Sequence, residues 1–302
     1  MSRRLTPSTV LLLTVPPLLW AGNAIVGRLV RAAVPPMTLN LLRWTIAFAV
    51  LLPLGWATLR RPYVRAGIRT GWRRYAMLGL LGIGMYNSLQ YLALQSSTPI
   101  NVTLVASGMP VWMMVVGRLF YGARVRAWQV AGAVLSIGGV LVVLCRGDAH
   151  QLLALRLVAG DLYMILATIA WSFYSWMLLQ PGDAPALRAD WAAFLGTQVG
   201  FGLLWSGALA GAEWSLGAPA IGWSGPVAAA LAFVALGPAV LAFALWGAGI
   251  RRADPEIGAF FVNLTPLFTA LLSSAFLGEL PHAYHGAAFA LIVGGIVVSA
   301  RR

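Results

Sequence analysis

Residues 97–143 read STPINVTLVASGMPVWMMVVGRLFYGARVRAWQVAGAVLSIGGVLVV, and residues 253–299 read ADPEIGAFFVNLTPLFTALLSSAFLGELPHAYHGAAFALIVGGIVVS. Shifted by 156 positions, the two stretches align over 47 residues without a gap. Ten positions are identical: Pro99/Pro255, Pro110/Pro266, Phe120/Phe276, Gly122/Gly278, Ala127/Ala283, Ala131/Ala287, Leu135/Leu291, Gly138/Gly294, Gly139/Gly295 and Val142/Val298. Apolar composition alone does not produce this spacing of prolines and glycines. Each copy reads as two apolar helices joined by a short turn, so the sequence predicts a duplicated membrane protein.

The composition is that of a membrane protein. Sixty per cent of the residues are hydrophobic, 10% are charged and the mean hydropathy is +0.82. The net charge of +13 would suit nucleic acid, but the arginines lie in short loops between apolar runs, where the positive-inside rule places them. We therefore predict a lipid bilayer as a partner and no nucleic acid. The single cysteine, Cys145, excludes an internal disulfide, and we predict no cofactor and no metal.

Apolar runs near the roughly 20 residues that a helix needs to cross hydrocarbon recur along the whole chain. They predict an all-α polytopic membrane protein with ten transmembrane helices, arranged as two five-helix repeats over residues 1–147 and 157–302. The predicted spans are 9–28, 37–57, 74–94, 100–120, 127–145, 159–179, 190–210, 226–247, 258–277 and 283–300.

The distribution of arginines predicts the orientation. With the N-terminus inside, sixteen arginines fall on the internal side, four fall in external loops, and Arg43 lies within the second span. This bias predicts that both termini are cytoplasmic, and we expect a bacterial inner membrane. Five crossings per half reverse the second half relative to the first. Inverted repeats of this kind are typical of transporters that bind a small-molecule substrate near the midplane and work by alternating access.

Several short motifs resemble those of the drug/metabolite transporter superfamily, of the EamA-repeat type. They are Leu19-Trp20-Ala21-Gly22-Asn23, Leu42-Arg43-Trp44, Pro110, Pro266, Leu277-Gly278-Glu279-Leu280-Pro281, Gly138-Gly139 and Gly294-Gly295. The resemblance covers nearly the whole chain and implies ten helices. It also implies an exporter of amino acids, including aromatic ones, with a drug or other metabolite carrier of the same fold as the alternative. One departure is Gly122-Ala123-Arg124, which lacks the acidic residue of the second copy.

The acidic residues do not suggest proton coupling. All eight lie in predicted loops or near helix ends, as do the three histidines: Asp148, Asp161, Asp183, Asp190, Glu213, Asp254, Glu256, Glu279, His150, His282 and His285. A proton-coupled carrier normally keeps an ionisable carboxylate inside the membrane. We therefore predict a facilitator that runs down its substrate gradient.

Arg43 is the one charge well inside a predicted span, about 10 Å beyond Pro36 at 1.5 Å per residue. It has two interpretations. In the first, the guanidinium faces the cavity and binds a substrate carboxylate. In the second, it snorkels to the outer headgroups or is tied to helix-end carbonyls.

Matched prolines and glycines predict hinges. Pro110 and Pro266 are expected in mid-helix, where each removes a backbone hydrogen bond and kinks its helix. Gly82 and Pro238 add flexible points in the third and eighth spans. These kinks would gate alternating access, or they are fixed bends whose freed carbonyls are satisfied by neighbours.

Intramembrane polar and aromatic side chains predict the substrate pocket. The arrangement of Tyr86, Asn87, Gln90 and Tyr91 places them on one side of a helix. An aromatic pocket with hydrogen-bonding groups suits amphipathic solutes, whereas each aromatic taken singly could equally be a core or interfacial residue. The predicted substrate-binding residues are Trp20, Asn23, Arg43, Tyr86, Asn87, Gln90, Tyr91, Ser107, Trp112, Trp171, Tyr174, Ser175 and Asn263.

The fifth and tenth spans are almost wholly apolar, with Gly132/Ser136 and Ala290/Gly294 at the spacing of close helix contacts. They are predicted to pack at the edge of the bundle or in a homodimer.

Two other classes remain open. The sequence Gly222-Trp223-Ser224-Gly225 has the form of a serine-hydrolase motif, and His282 or His285 on the same side would supply a base. Against an intramembrane protease, Ser224 precedes Pro226 as at an ordinary helix start, and a protease does not explain an inverted duplication. A passive channel shares the topology. We predict a transporter rather than an enzyme.

Overall fold

A computed structural model of the chain describes residues 5–30, 32–97, 102, 105–145, 147–148, 150, 158–217, 220–277 and 282–301. Within these ranges the secondary structure is helical throughout, without a strand, as the sequence predicted. The Gly278-Glu279-Leu280-Pro281 motif lies outside the described residues.

The helices follow the predicted spans closely. The first seven are α1 (Pro7–Val30), α2 (Pro36–Leu59), α3 (Pro62–Thr70), α4 (Trp72–Leu78), α5 (Tyr86–Ser96), α6 (Met109–Phe120) and α7 (Ala127–Leu144). The remaining eight are α8 (Ala159–Met177), α9 (Pro185–Ala189), α10 (Trp191–Ser215), α11 (Gly225–Val234), α12 (Ala242–Arg252), α13 (Pro255–Val262), α14 (Leu264–Leu277) and α15 (Ala283–Ser299).

Five helical segments are long and apolar enough to cross a membrane by length and composition. They are Pro7–Gly27, Pro36–Leu59, Ala127–Leu144, Trp191–Ser215 and Gly225–Arg252. Shorter apolar helices, α6 and α15, accompany them. The chain is therefore a polytopic helical membrane protein.

Two helices are widened by a π-helical turn. Gly79–Met85 joins α4 to α5, and Ala235–Leu241 joins α11 to α12. The two turns are separated by the same 156 residues that relate the sequence repeats, and they contain the predicted hinge positions Gly82 and Pro238. π-Helical turns in long helices are frequently found at functional sites.

Pro110 and Pro266 do not lie in mid-helix, and this prediction was wrong. The helix of the fourth span is interrupted by a turn at Gly108, and that of the ninth span by a turn at Asn263. Pro110 is therefore the second residue of α6, and Pro266 is the third residue of α14. A proline in the first helical turn removes an N–H that has no partner within its own helix, so it fits there without a kink.

The two halves of the chain interlock. α2 packs along α10, α5 along α8, and α7 along α15. α1 packs against α12 and α14, while α8 packs against α5 and α6. Each of the main packing pairs joins a helix before residue 150 to a helix after residue 157, so the centre of the bundle is built from both halves.

The contact between α7 and α15 uses small residues. A Cβ on Gly132 would stand 2.7 Å from the Gly295 carbonyl oxygen, and a Cβ on Gly295 would stand 2.6 Å from the Gly132 carbonyl oxygen. Gly294, in contrast, has no atom within 4 Å of where its Cβ would stand. The predicted Gly132/Ser136 face of α7 is thus buried within the chain, whereas the close contact on α15 is made by Gly295, one residue beyond the predicted Gly294.

Candidate functional site

An aromatic cluster fills the centre of the bundle. Trp171 of α8 lies at its middle, with ring centroids 5.3 Å from Trp20, 5.0 Å from Tyr86, 5.2 Å from Phe243 and 5.6 Å from Trp246. We define the aromatic cluster as Trp20, Trp44, Tyr86, Trp171, Tyr174, Phe243 and Trp246. Edge-to-face and tilted pairs of this kind favour a fixed arrangement of the rings.

The indole N–H groups of the cluster differ in their partners. Trp20 Nε1 donates to the Pro238 carbonyl oxygen at 3.2 Å, inside the second π-helical turn. Trp246 Nε1 donates to Ser175 Oγ at 3.2 Å. Trp171 Nε1 is buried with no hydrogen-bond partner among the described residues. A buried donor without a partner costs about 1–3 kcal/mol, so it is a candidate contact for a bound solute.

Arg43 lies inside the protein. Its exposed fraction is 1%, and its guanidinium carbon lies 5.2 Å from the centre of the Trp44 ring. Tyr91 is its electrostatic neighbour. Within the described part of the chain Arg43 forms no ion pair, and its Nε and Nη1 atoms have no hydrogen-bond acceptor. The burial excludes snorkelling to the headgroups and leaves a cation beside the aromatic cluster that a carboxylate would stabilise.

Two buried amides carry further unpartnered atoms. Asn23 lies three residues beyond Trp20 on α1, and its Oδ1 has no donor within the described residues. Asn87 follows Tyr86 on α5, and its Nδ2 has no acceptor in the same residues. One acceptor and one donor are therefore buried on helices that also supply rings to the aromatic cluster.

The structure brings together most of the predicted site residues. The aromatic cluster contains Trp20, Tyr86, Trp171 and Tyr174, and Ser175 accepts a hydrogen bond from Trp246 of the cluster. Tyr91 adjoins Arg43, and Asn23 and Asn87 are neighbours of cluster residues on their helices.

Ser107 and Asn263 lie at the two helix interruptions and are not members of the aromatic cluster. Asn263 Nδ2 donates to the Ser107 carbonyl oxygen at 3.3 Å and to Ser136 Oγ at 2.9 Å, which joins the two helix interruptions. Trp112 lies beside that junction, since its Nε1 is 4.0 Å from where a Cβ on Gly108 would stand. Gln90 is only partly buried. Trp112 makes no ring contact with the aromatic cluster in the described residues.

Four members of the site were missed at the sequence level. Phe243 and Trp246 stand at the positions that the 156-residue offset pairs with Asn87 and Gln90, so extending the alignment would have found them. The two others are Trp44, which follows Arg43, and Arg251.

Arg251 lies in the last turn of α12 and is half-buried, with Nη1 3.4 Å from where a Cβ on Gly247 would stand. Its electrostatic neighbours are Tyr174, Arg188 and Arg252, and it forms no ion pair in the part of the chain that the structure describes.

Glu213 and Asp161 accept hydrogen bonds at helix starts. Glu213 accepts the backbone N–H groups of Met37 and Thr38, at 2.9 and 2.8 Å, at the start of α2. Asp161 accepts the Val158 N–H at 2.9 Å and a hydrogen bond from Ser97 Oγ. Such bonds satisfy N–H groups that a helix start leaves without partners.

Ser224 also has a structural contact. Its Oγ accepts the Val227 N–H at 3.3 Å as the cap of α11. His285 Nδ1 accepts the His282 N–H at 3.0 Å at the start of α15. Each of the three residues of the serine-protease hypothesis is thus part of a helix start.

A polytopic bundle with an aromatic centre, an unpaired buried cation and π-helical turns at repeat-related positions is typical of a membrane transporter. The EamA-like transporter family model matches residues 7–145 and 158–301, and the chain belongs to this family. This confirms the family resemblance seen in the sequence.

Relatives of similar length support the assignment. An uncharacterized transporter of Archaeoglobus fulgidus is 27% identical over 97% of this chain and 95% of its own length. The aromatic amino acid exporter YddG of Ancylobacter novellus is 28% identical over 93% of each chain. A probable terminal-alkyne amino-acid exporter of Streptantibioticus cattleyicolor is 25% identical over 87% of this chain and 84% of its own. A solved crystal structure matches with a TM-score of 0.71 and 27% identity over 96% of each chain. The relatives are transporters, which points away from an enzyme.

Proposed function

We propose that the chain is an inner-membrane exporter or facilitator of small amphipathic carboxylates, most of all amino acids including aromatic ones. The observation that carries this proposal is the juxtaposition of the aromatic cluster with Arg43, a buried cation without an ion pair in the described residues. An apolar or aromatic side group would lie against the rings, and the carboxylate would bind the free Nε and Nη1 of Arg43. The named functions of two relatives agree with this chemistry.

The remaining groups of an amino acid also find suitable partners. The unpartnered Asn23 Oδ1 is an acceptor for an α-ammonium group, and the Asn87 Nδ2 and Trp171 Nε1 donors suit carboxylate oxygens. Arg251 supplies a second cation, whose electrostatic neighbours include Tyr174 of the aromatic cluster. A substrate carboxylate that enters from one side of the membrane would first reach Arg43, and one that enters from the other side would first reach Arg251.

Alternating access would come from ten spans in two inverted five-helix repeats, residues 1–147 and 157–302, with both termini in the cytoplasm. The π-helical turns at equivalent positions and the paired helix interruptions at Gly108 and Asn263 support this arrangement. Gly82 and Pro238 within the turns, and Pro110 and Pro266 beside the interruptions, would mark the hinges.

We propose transport without proton coupling, because the carboxylates of Glu213 and Asp190 are occupied as helix caps at span ends. A homodimer through α7 and α15 would use their outer faces, since the small-residue faces are buried against each other. Val134 and Val297 are exposed on those outer faces.

The test is flux in proteoliposomes with labelled amino acids, nucleosides and drug-like amines, with and without a pH gradient. We expect the flux of phenylalanine and tyrosine to be saturable. We also expect that a pH step alone does not drive either amino acid against its own concentration gradient. Transport of amines in preference to amino acids would favour the drug-carrier alternative. Accumulation driven by pH would contradict the uncoupled mechanism.

A further inference from the structure

The positive charge of the chain is concentrated before residue 148. That region contains no acidic residue, and all but six of the 21 basic residues lie in it. Five of its arginines fall within the short segment 60–73, which includes α3: Arg60, Arg61, Arg65, Arg69 and Arg73. All five are exposed.

α3 has two distinct faces. Val64 is fully buried, and Gly67 faces Ala184, whose Cβ is 3.5 Å from where a glycine Cβ would stand. Tyr63 and Trp72 at the two ends of the segment are 54% and 51% exposed. A basic amphipathic helix flanked by exposed aromatic rings is the pattern of a segment that lies at a membrane–water interface.

Arg74, which is partly buried next to this segment, has carboxylate contacts, whereas the five exposed arginines do not. Arg74 donates to Asp183 from Nε at 3.0 Å and from Nη2 at 3.1 Å, and Asp183 also binds Arg188 at 3.0 Å. Among the described residues, none of the five exposed arginines forms an ion pair.

The contacts of the exposed arginines are neutral. Arg65 Nε donates to the Leu59 carbonyl oxygen at 3.1 Å, and Arg61 Nη1 donates to the Tyr63 hydroxyl at 3.2 Å. Arg73 lies 5.8 Å from the centre of the Trp72 ring. These contacts orient the guanidinium groups without neutralising them.

We propose that residues 60–73 bind the phosphate groups of anionic phospholipids in the leaflet that faces them. Guanidinium groups match phosphate oxygens in charge and in planar geometry, and the exposed rings of Tyr63 and Trp72 fit the headgroup level. In the proposed orientation this leaflet is the cytoplasmic one, whose anionic lipids attract basic segments next to a membrane helix. The segment joins α2 to α4, so bound lipid would hold the start of the helix that leads into the first π-helical turn.

The test uses a fluorophore on α3. Ala66 is exposed, so an Ala66→Cys variant carries the label, and the wild type, whose one cysteine is buried, is the labelling blank. In nanodiscs of phosphatidylcholine, brominated phosphatidylglycerol should quench the label more than brominated phosphatidylcholine at equal mole fraction. We expect a preference of about fivefold that decreases in high salt.

Two charge-matched triple variants locate the effect. Replacing Arg61, Arg65 and Arg69 by glutamine should abolish the preference while the melting temperature in detergent stays close to that of the parent. Arg118 in the last turn of α6 and Arg124 and Arg126 between α6 and α7 are also exposed, and replacing these three by glutamine should leave the preference intact. Equal quenching by the two lipids in the parent, or equal loss in both variants, would overturn the proposal.

Discussion

The indole rings of Trp20 and Trp171 meet edge to face in the centre of the bundle, with centroids 5.3 Å apart and planes at 89°. When Leu-Leu-Trp-Ala-Gly-Asn of the first span is aligned with Ile-Ala-Trp-Ser-Phe-Tyr of the sixth, these two tryptophans are the one identical position. Matched residues of two halves come into contact where a symmetry axis passes between them. The contact therefore fits a proposed substrate site shared by both halves.

Trp20→Phe keeps a ring in place but removes the donor to the Pro238 carbonyl oxygen. Because that carbonyl belongs to a π-helical turn, we expect a loss of about 1 kcal/mol in stability and a lower melting temperature in detergent. Trp223→Phe, at a 64% exposed ring, is the control and should melt like the parent. Equal melting of both variants would show that the hydrogen bond does not stabilise the turn.

Gly82→Ala tests the packing of the first π-helical turn. A Cβ at Gly82 would stand 2.6 Å from ring carbons of Tyr174, which is in the aromatic cluster. Overpacking of this kind costs about 1–3 kcal/mol, and we expect a lower melting temperature together with reduced transport. Gly138→Ala, with no atom within 4 Å, should change neither. Unchanged transport in Gly82→Ala would show that the turn accommodates the methyl group.

Asn263→Ala removes the hydrogen bond between the two helix interruptions and the hydrogen bond to Ser136 of α7. We expect a loss of about 1–3 kcal/mol, since the bonds to the Ser107 carbonyl and to Ser136 Oγ are buried. Ser136→Ala should cost less, because Asn263 still reaches Ser107. The ratio of the two effects in thermal melting is the measurement, and a larger effect of Ser136→Ala would contradict the structure.

The helices were the predictable part of the fold. The apolar runs predicted spans 127–145 and 283–300, and the structure has α7 at Ala127–Leu144 and α15 at Ala283–Ser299. The face of α15 that meets α7 was not predictable, because Gly294 and Gly295 point about 100° apart and only the partner helix selects one.

The site was predictable in its residue types and less so in its geometry. Trp20, Trp171 and Tyr174 were found as intramembrane aromatics near the repeat motifs. The two interpretations of Arg43 could not be separated from the sequence, because burial depends on which helices surround α2. The interruptions at Gly108 and Asn263 likewise depend on a hydrogen bond between distant parts of the chain.

Arg251→Gln tests the second cation of the proposed path. We expect the apparent KM for phenylalanine, supplied from the side on which α12 ends, to rise by about tenfold, as loss of a charged hydrogen bond would cause. Arg252→Gln removes the same charge from the neighbouring exposed residue and should change the KM little. An equal rise in both variants would indicate a general electrostatic effect instead of a binding contact.

Counterflow of labelled phenylalanine in proteoliposomes, for the parent protein and for Arg43→Gln, tests most directly whether the chain carries its substrate on Arg43. We predict that unlabelled phenylalanine on the opposite side stimulates uptake by the parent and that phenethylamine, which lacks the carboxylate, does not. We further predict that Arg43→Gln, folded as judged by melting, loses most of this stimulation. Uptake that is linear in concentration without stimulation from the opposite side, or full counterflow in Arg43→Gln, would contradict an alternating-access carrier that binds its substrate through Arg43.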